Sequence, residues 1–174
     1  EEIDVDFGTT LDDVVAALPA TVTLTDVEGT EYEVDLNWVV YNYVGDDPAF
    51  APARYVASGL FELPEGVARG DVRTQVDTFV NLGVGLASID EVDSLIVPLN
   101  AEFAYVEGKL PATIEFTDSI GEVRSAELAW AAPEDFDGTV ASEVYEFVGT
   151  FELPEGVGAS AALPAEVRVP VTIN

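Results

Sequence analysis

The feature that most constrains this chain is an internal repeat that covers most of its length. Leu18 to Val22 recurs as Leu110 to Ile114, and Phe61 to Val67 recurs unchanged as Phe151 to Val157. Self-similarity of this kind indicates one structural unit used twice. Further matches in the same order are Thr25-Asp26 with Thr117-Asp118, Gly29 with Gly121, Trp38 with Trp130, Tyr55 with Tyr145, and Gly59 with Gly149.

The repeat predicts two domains rather than one fused domain. Each copy has its own Trp, its own Tyr-x-x-x-Gly segment and its own Val-Arg-x-x-Val segment, so each is expected to be complete. We assign residues 1–84 to copy 1 and residues 85–174 to copy 2. A linker is predicted between Leu82 and Ser94, where closely spaced glycines are followed by acidic residues.

The hydrophobic pattern within each copy has a period of two, which predicts β-strands. Tyr32, Val34, Leu36 and Trp38 share one face of a predicted strand, and acidic or amide side chains occupy the other face. Residues 21–25 alternate in the same way. Asp26 to Gly29 supply turn residues between the two runs, so a β-hairpin is expected there.

Other segments complete the predicted fold. The Val-Arg-x-x-Val segments, Val72–Val76 and Val167–Val171, predict final strands over Val72–Val80 and Val167–Ile173. Residues 11–18 form the one convincing helix, with Thr9 and Thr10 as N-cap candidates. Gly59 and Gly149 interrupt rows of inward side chains, which predicts close packing of Trp38 and Trp130 against them. The fold class expected is all-β, as two tandem immunoglobulin-like antiparallel β-sandwiches.

Composition excludes several functions. The chain has 34 acidic residues, 6 basic residues and a net charge of -28, which argues against binding nucleic acid or anionic lipid. It has no cysteine, histidine or methionine, so thiol nucleophiles, imidazole bases and disulfides are excluded. No apolar run approaches the roughly 20 residues that cross a bilayer. We therefore expect a protein that is not an enzyme and does not insert into membranes.

Tyr41, Tyr43 and Phe50 form the candidate ligand-binding site. The two tyrosines have the opposite parity from Trp38, which predicts that both point outward, and copy 2 has Ala131-Ala132-Pro133 in their place. Such aromatic side chains could bind a sugar ring, pack against a neighbouring domain, or be covered by the loop through Phe50.

Asp90, Glu91 and Asp93 form the candidate metal site. Ca²⁺ prefers several convergent oxygen ligands, and a bound Ca²⁺ in the linker would stiffen the two-domain chain. The alternative is a solvated acidic coat, because adjacent carboxylates are expected by chance among 34 acidic residues. Their mutual repulsion favours solubility and a monomer.

The order of these motifs resembles the bacterial immunoglobulin-like domain of the group 4 type. The segments that carry the resemblance in copy 1 are Phe7-Gly8-Thr9-Thr10-Leu11, Leu18 to Val22, Val34-Asp35-Leu36-Asn37-Trp38 and Tyr55-x-x-x-Gly59. Those in copy 2 are Leu110 to Ile114, Gly121, Leu128-Ala129-Trp130 and Tyr145-x-x-x-Gly149. Copy 2 departs from the pattern at its start, where Leu99-Asn100-Ala101-Glu102 replaces Phe-Gly-Thr-Thr.

The resemblance implies modules of large bacterial surface or secreted proteins, and it supplies no catalytic residues. We therefore expect a spacer or stalk segment, located outside the cell or on its surface, with neighbouring domains of a larger protein as its partners. The alternative is an accessory module that binds carbohydrate or a protein partner. No cofactor is expected apart from Ca²⁺.

Overall fold

The structure, a computed structural model, describes residues 2–71 and 73–174 and is mostly β. The strands are β1 (Ile3–Val5), β2 (Thr21–Thr25), β3 (Glu31–Asp35), β4 (Asn37–Val40), β5 (Ala53–Leu60), β6 (Gln75–Leu82), β7 (Val84–Ile89), β8 (Leu95–Val97), β9 (Thr113–Asp118), β10 (Val123–Glu127), β11 (Ala129–Ala131), β12 (Val144–Thr150), β13 (Val157–Gly158) and β14 (Glu166–Ile173). The helices are α1 (Leu11–Ala17) and α2 (Phe103–Glu107), and a 3-10 turn covers Pro48–Phe50.

The two copies share one arrangement of strands. In copy 1 the sheet order is β1-β6-β5-β4, and in copy 2 it is β8-β14-β12-β11. The first strand of each sheet runs parallel to the last strand of its copy, and the other pairs are antiparallel. Each copy also has a hairpin, formed by β2 and β3 or by β9 and β10.

The sheets are mixed, which corrects the prediction of purely antiparallel sandwiches. The parallel pairs are β1 with β6, β8 with β14, and β13 with β7. The copies curl into two half-barrels. Alternation within a strand reports which side chains are buried, but it carries no information about the direction of the neighbouring strand.

The predicted hairpin, helix and tryptophan packing are confirmed. Thr21 to Thr25 pair with Glu31 to Asp35. Thr10 caps α1 by accepting a hydrogen bond from the amide of Asp13. A Cβ atom added to Gly59 or Gly149 would lie 3.1 or 2.9 Å from the Trp38 or Trp130 ring, respectively. Each indole also donates a 2.7 Å hydrogen bond, to the carbonyl oxygen of Pro19 or Pro111.

The final strands correct the sequence alignment near the end of each copy. Gly59 pairs with Val76, and Gly149 pairs with Val167, so Val76 and Val167 are equivalent positions. The two Val-Arg-x-x-Val segments are therefore offset by four residues and are not structural counterparts. Strand β6 begins at Gln75, whereas the strand was predicted from Val72, which lies outside the described residues.

The predicted linker contains a strand. Strand β7 starts two residues after β6 ends and pairs with β9 of copy 2. Gly83 and residues 90–94 are the parts of the predicted linker that lack regular structure. Among the residues that the structure describes, no helix has the length and apolarity needed to span a bilayer.

Candidate functional site

The three residues of the predicted ligand site occupy different environments. Tyr41 is 52% exposed, and Phe50 is 56% exposed on the 3-10 turn that lies against β7. Tyr43 is partly buried, because β4 ends at Val40 and the following turn directs its ring inward. Its ring packs edge-on to Tyr55 at 5.0 Å between centroids.

Tyr43 has a structural role in the position that it occupies. Its hydroxyl donates a 2.9 Å hydrogen bond to the carbonyl oxygen of Thr9, and burial raises the pKa of this hydroxyl. Tyr55 donates a similar bond to the carbonyl oxygen of Val44. These two bonds hold the start of the loop that was predicted to bind ligand.

Tyr41 belongs to an apolar surface on the outer side of the copy 1 sheet, which we call the outer face. Its amide bonds to the carbonyl oxygen of Val56, and Val56 pairs with Phe79 on β6. The three side chains therefore form a row across neighbouring strands. The exposed members of the outer face are Val39 (44%), Tyr41 (52%), Val56 (42%), Leu60 (45%) and Phe79 (38%).

The corresponding face of copy 2 has no such row, although Val144 is exposed there at 59%. Glu146 occupies the position equivalent to Val56, and Arg168 on the adjacent strand forms an ion pair with it at 2.6 Å. In copy 1 an arginine packs on an aromatic ring of this face instead. The Arg54 guanidinium lies 3.7 Å above the Phe79 ring. The exposed apolar row is therefore a property of copy 1 alone, and scaffold requirements common to both copies do not explain it.

The predicted metal site has no support from side-chain geometry. Asp90, Glu91 and Asp93 are all exposed. Within residues 2–71 and 73–174, no group of three or more acidic side chains is gathered in a way that could hold a metal ion. The partly buried residue of this segment is Val92, which packs against both core clusters of copy 2.

One carboxylate is fully buried, and its partners are structural. Asp118 is 1% exposed and accepts hydrogen bonds from the amides of Ile120 and Glu122 and from the Arg124 guanidinium. Burial alone would raise the pKa of Asp118, but these hydrogen bonds and the charge of Arg124 lower it overall. The equivalent Asp26 caps its hairpin turn in the same way, with the Tyr32 hydroxyl in place of the guanidinium. Asp118 therefore stabilises the turn between β9 and β10.

The most specific contact between the copies is made by Phe7. Phe7 is 3% exposed, and a Cβ atom added to Gly85 on β7 would lie 2.6 Å from carbons of its ring. A Cβ atom on Gly158 of β13 would lie 2.4 Å from the carbonyl oxygen of Phe7. Gly8 approaches Ala159 as closely, with 2.3 Å between its added Cβ atom and that residue's carbonyl oxygen. Copy 1 and copy 2 therefore meet at backbone distance. We call this contact the joint.

The backbone connection between the two copies is also short. Gly83 alone separates β6 from β7, and its amide donates a 2.9 Å hydrogen bond to the carbonyl oxygen of Val5. Short connections between domains restrict their relative motion when the contact is well packed. The joint thus combines a linker residue, Gly83, that is hydrogen-bonded to copy 1 with the buried side chain of Phe7.

Sequence reasoning missed both the joint and most of the outer face. Gly85 and Gly158 resemble ordinary turn glycines in the sequence, and only the structure brings Phe7 between them. Val56 and Phe79 were not considered because their exposure depends on which face of β5 and β6 packs inward. A comparison of the copies offered one available signal, since Glu146 replaces Val56 next to the matched Tyr145 and Tyr55.

Comparison with known protein families and with curated proteins found no match for this chain.

Proposed function

We propose that the chain is a non-catalytic spacer or stalk segment built from two immunoglobulin-like sandwich modules. The joint is the observation that carries this proposal. A spacer must keep its two ends at a constant distance. A chain of two modules does so when the angle between the modules is fixed. Phe7 is buried against Gly85, and the Gly83 linker is hydrogen-bonded to Val5, so the contact resists bending.

Composition supports the same proposal. A net charge of -28 keeps an extended chain soluble and monomeric, and no nucleic acid or anionic lipid partner fits it. The resemblance in motif order to bacterial immunoglobulin-like domains supports a spacer in a surface or secreted protein, next to other domains of that protein. Location outside the cell is part of the proposal.

The joint predicts a narrow distribution of distances between the two copies. The chain has no cysteine, so Glu33→Cys and Glu115→Cys introduce a unique pair of exposed sites for spin labels, one in each copy. Electron–electron resonance should give one narrow distance peak in this background. Phe7→Ala removes the buried ring, and Gly85→Ala forces a methyl group against it, so each substitution should broaden the peak at least twofold.

Gly83→Ala is the matched control for Gly85→Ala. A methyl group at Gly83 would meet its nearest atom at 3.5 Å, an ordinary contact, so the distance peak should not change. A broad distribution in the unsubstituted background would contradict a spacer with a fixed angle. So would equal broadening by Gly83→Ala and Gly85→Ala.

The outer face favours a second candidate function, an accessory module that binds carbohydrate. Flat rows of exposed aromatic and aliphatic side chains can cover the apolar faces of sugar rings. Tyr41→Ala combined with Phe79→Ala removes the aromatic members of the row. If the module binds carbohydrate, this double variant should lose at least tenfold in affinity for a ligand found on a glycan array and measured by calorimetry.

Tyr105→Ala provides the control for that experiment, because Tyr105 is a similarly exposed aromatic residue of copy 2, at 47%. It should leave affinity unchanged. Tyr43 is not substituted, since loss of its bond to Thr9 would confound binding with stability. Absence of any carbohydrate ligand for the unsubstituted chain would remove this second candidate.

A further inference from the structure

The outer edge of β2 in copy 1 is an open sheet edge. Strand β2 pairs only with β3, and these two strands form a sheet of their own. Among residues 2–71 and 73–174, no third strand lies against this edge. An exposed edge presents unpaired backbone groups and is a template for a further strand.

In copy 2 the equivalent edge is paired with a further strand. The equivalent strand β9 is covered by β7, which pairs antiparallel to it from Leu86 to Ile89. Leu86 is fully buried and packs with Ile114, Phe116 and Phe151. Strand β7 therefore supplies both backbone partners and an apolar side chain to the core of copy 2.

Copy 1 has the apolar side chains that would receive this strand. Val22, Leu24 and Val76 are only partly buried, whereas their counterparts Ile114, Phe116 and Val167 are 4%, 1% and 9% exposed. Phe61 stands at the position of Phe151. Val22, Leu24 and Val76 are thus apolar but less covered than their counterparts in copy 2, whereas Phe61 is buried to the same extent as Phe151.

Copy 1 also has backbone groups at the positions that bond to β7 in copy 2. In copy 2 the amide of Asp90 donates to the carbonyl oxygen of Glu115, and the amide of Ser119 donates to that of Gly85. The equivalent groups in copy 1 belong to Thr23 and Val27. Val27 is fully exposed, at 105% of its reference area.

We propose that the open edge of β2 binds an extended strand of the β7 type, antiparallel, that connects copy 1 to a neighbouring module of the same kind. The donor is identified by continuity with the interface already present. In this chain the strand that covers β9 follows directly from the last strand of the other copy, through Gly83. The occupant carries apolar side chains at the positions of Leu86 and Ile89. The proposal rests on the spacer function and specifies how its modules join in series.

A graft tests the proposal within the intact chain. Because Leu95 corresponds to Ile3, residues 84–94 placed ahead of Ile3, in place of Glu1 and Glu2, would reach β2 with the spacing that β7 has in copy 2. Hydrogen exchange of Thr21 to Thr25 should slow at least tenfold. The Trp38 indole resonance should indicate unfolding of copy 1 at a higher urea concentration, and that of Trp130 should not shift.

The same graft with aspartate in place of its Leu86 and Ile89 residues is the matched control, and it should leave exchange unchanged. Equal effects of both grafts, or no effect of the apolar graft, would overturn the proposal. Protection of β2 that rises with concentration in the ungrafted chain would also overturn it, because the edge would then pair between identical chains. The distance measurement on the joint does not involve β2, so failure of the spacer function would be seen separately.

Discussion

Phe147→Ala is expected to destabilise copy 2 by about 3–5 kcal/mol, the range for truncating a buried aromatic side chain. Phe147 is fully buried on β12. Its ring lies 6.1 Å from that of Phe103 and 5.2 Å from that of Phe136, in stacked and edge-on geometry, respectively. The substitution leaves a cavity lined by these rings, and α2 loses the ring contact that Phe103 makes with the sheet.

The measurement is urea unfolding followed by the two indole resonances, since each copy has one tryptophan. The Trp130 transition should move to lower urea, and the Trp38 transition should stay in place. Phe79→Ala makes the same chemical change on the outer face, where the ring is 38% exposed, and should cost less than about 1.5 kcal/mol. Comparable losses for both substitutions would show that burial does not determine the effect.

The repeat predicted the features that depend on local pattern. The hairpins, α1 and the contact of Trp38 with Gly59 follow from alternation, capping and turn residues, all of which are visible within about 40 residues. The repeat did not imply equal cores, because Ala57 stands where copy 2 has Phe147. The two copies have the same arrangement of strands but pack different side chains in their cores.

Features that depend on distant pairing were not predictable. Strand β1 lies parallel to β6, whose residues are more than seventy positions away in the chain, and no local signal gives that direction. Strand β7 was taken for linker because two glycines and an acidic segment surround its apolar residues. Tyr43 was expected to point outward because strand parity was extended past Val40, where the turn at Asn42, with φ of 53°, ends the alternation.

The candidate sites show the same division. The difference between copies directed attention to Tyr41, which is exposed, but Val56, Leu60 and Phe79 of the same surface come from β5 and β6, and their register was needed to find them. The acidic residues 90, 91 and 93 were grouped by adjacency alone. Neighbouring side chains along an extended segment diverge, so proximity in sequence does not produce convergent ligands.

Asp118→Ala is expected to destabilise copy 2 by about 2–3 kcal/mol, because the amides of Ile120 and Glu122 and the guanidinium of Arg124 lose their buried acceptor. Arg124 remains 35% exposed and can recover hydration, which keeps the cost below that of a fully buried pair. Asp26→Ala is the matched control in copy 1, where the same turn is more exposed, and its effect should be smaller.

The same residue predicts a pH dependence. Its interactions lower the pKa of Asp118 in the folded state, so the ionised form favours folding. This contribution is complete above the ordinary aspartate pKa and is lost as the pH falls through the lower, folded-state value. The Trp130 transition should therefore shift to lower urea as the pH falls below about 4, and Asp118 should contribute no shift between about pH 6 and that value. Asp118→Asn should remove part of this slope while leaving the Trp38 transition unaffected. An unchanged slope would show that the pKa of Asp118 is the same in the folded and unfolded states, because only a difference between the two values links its ionisation to stability.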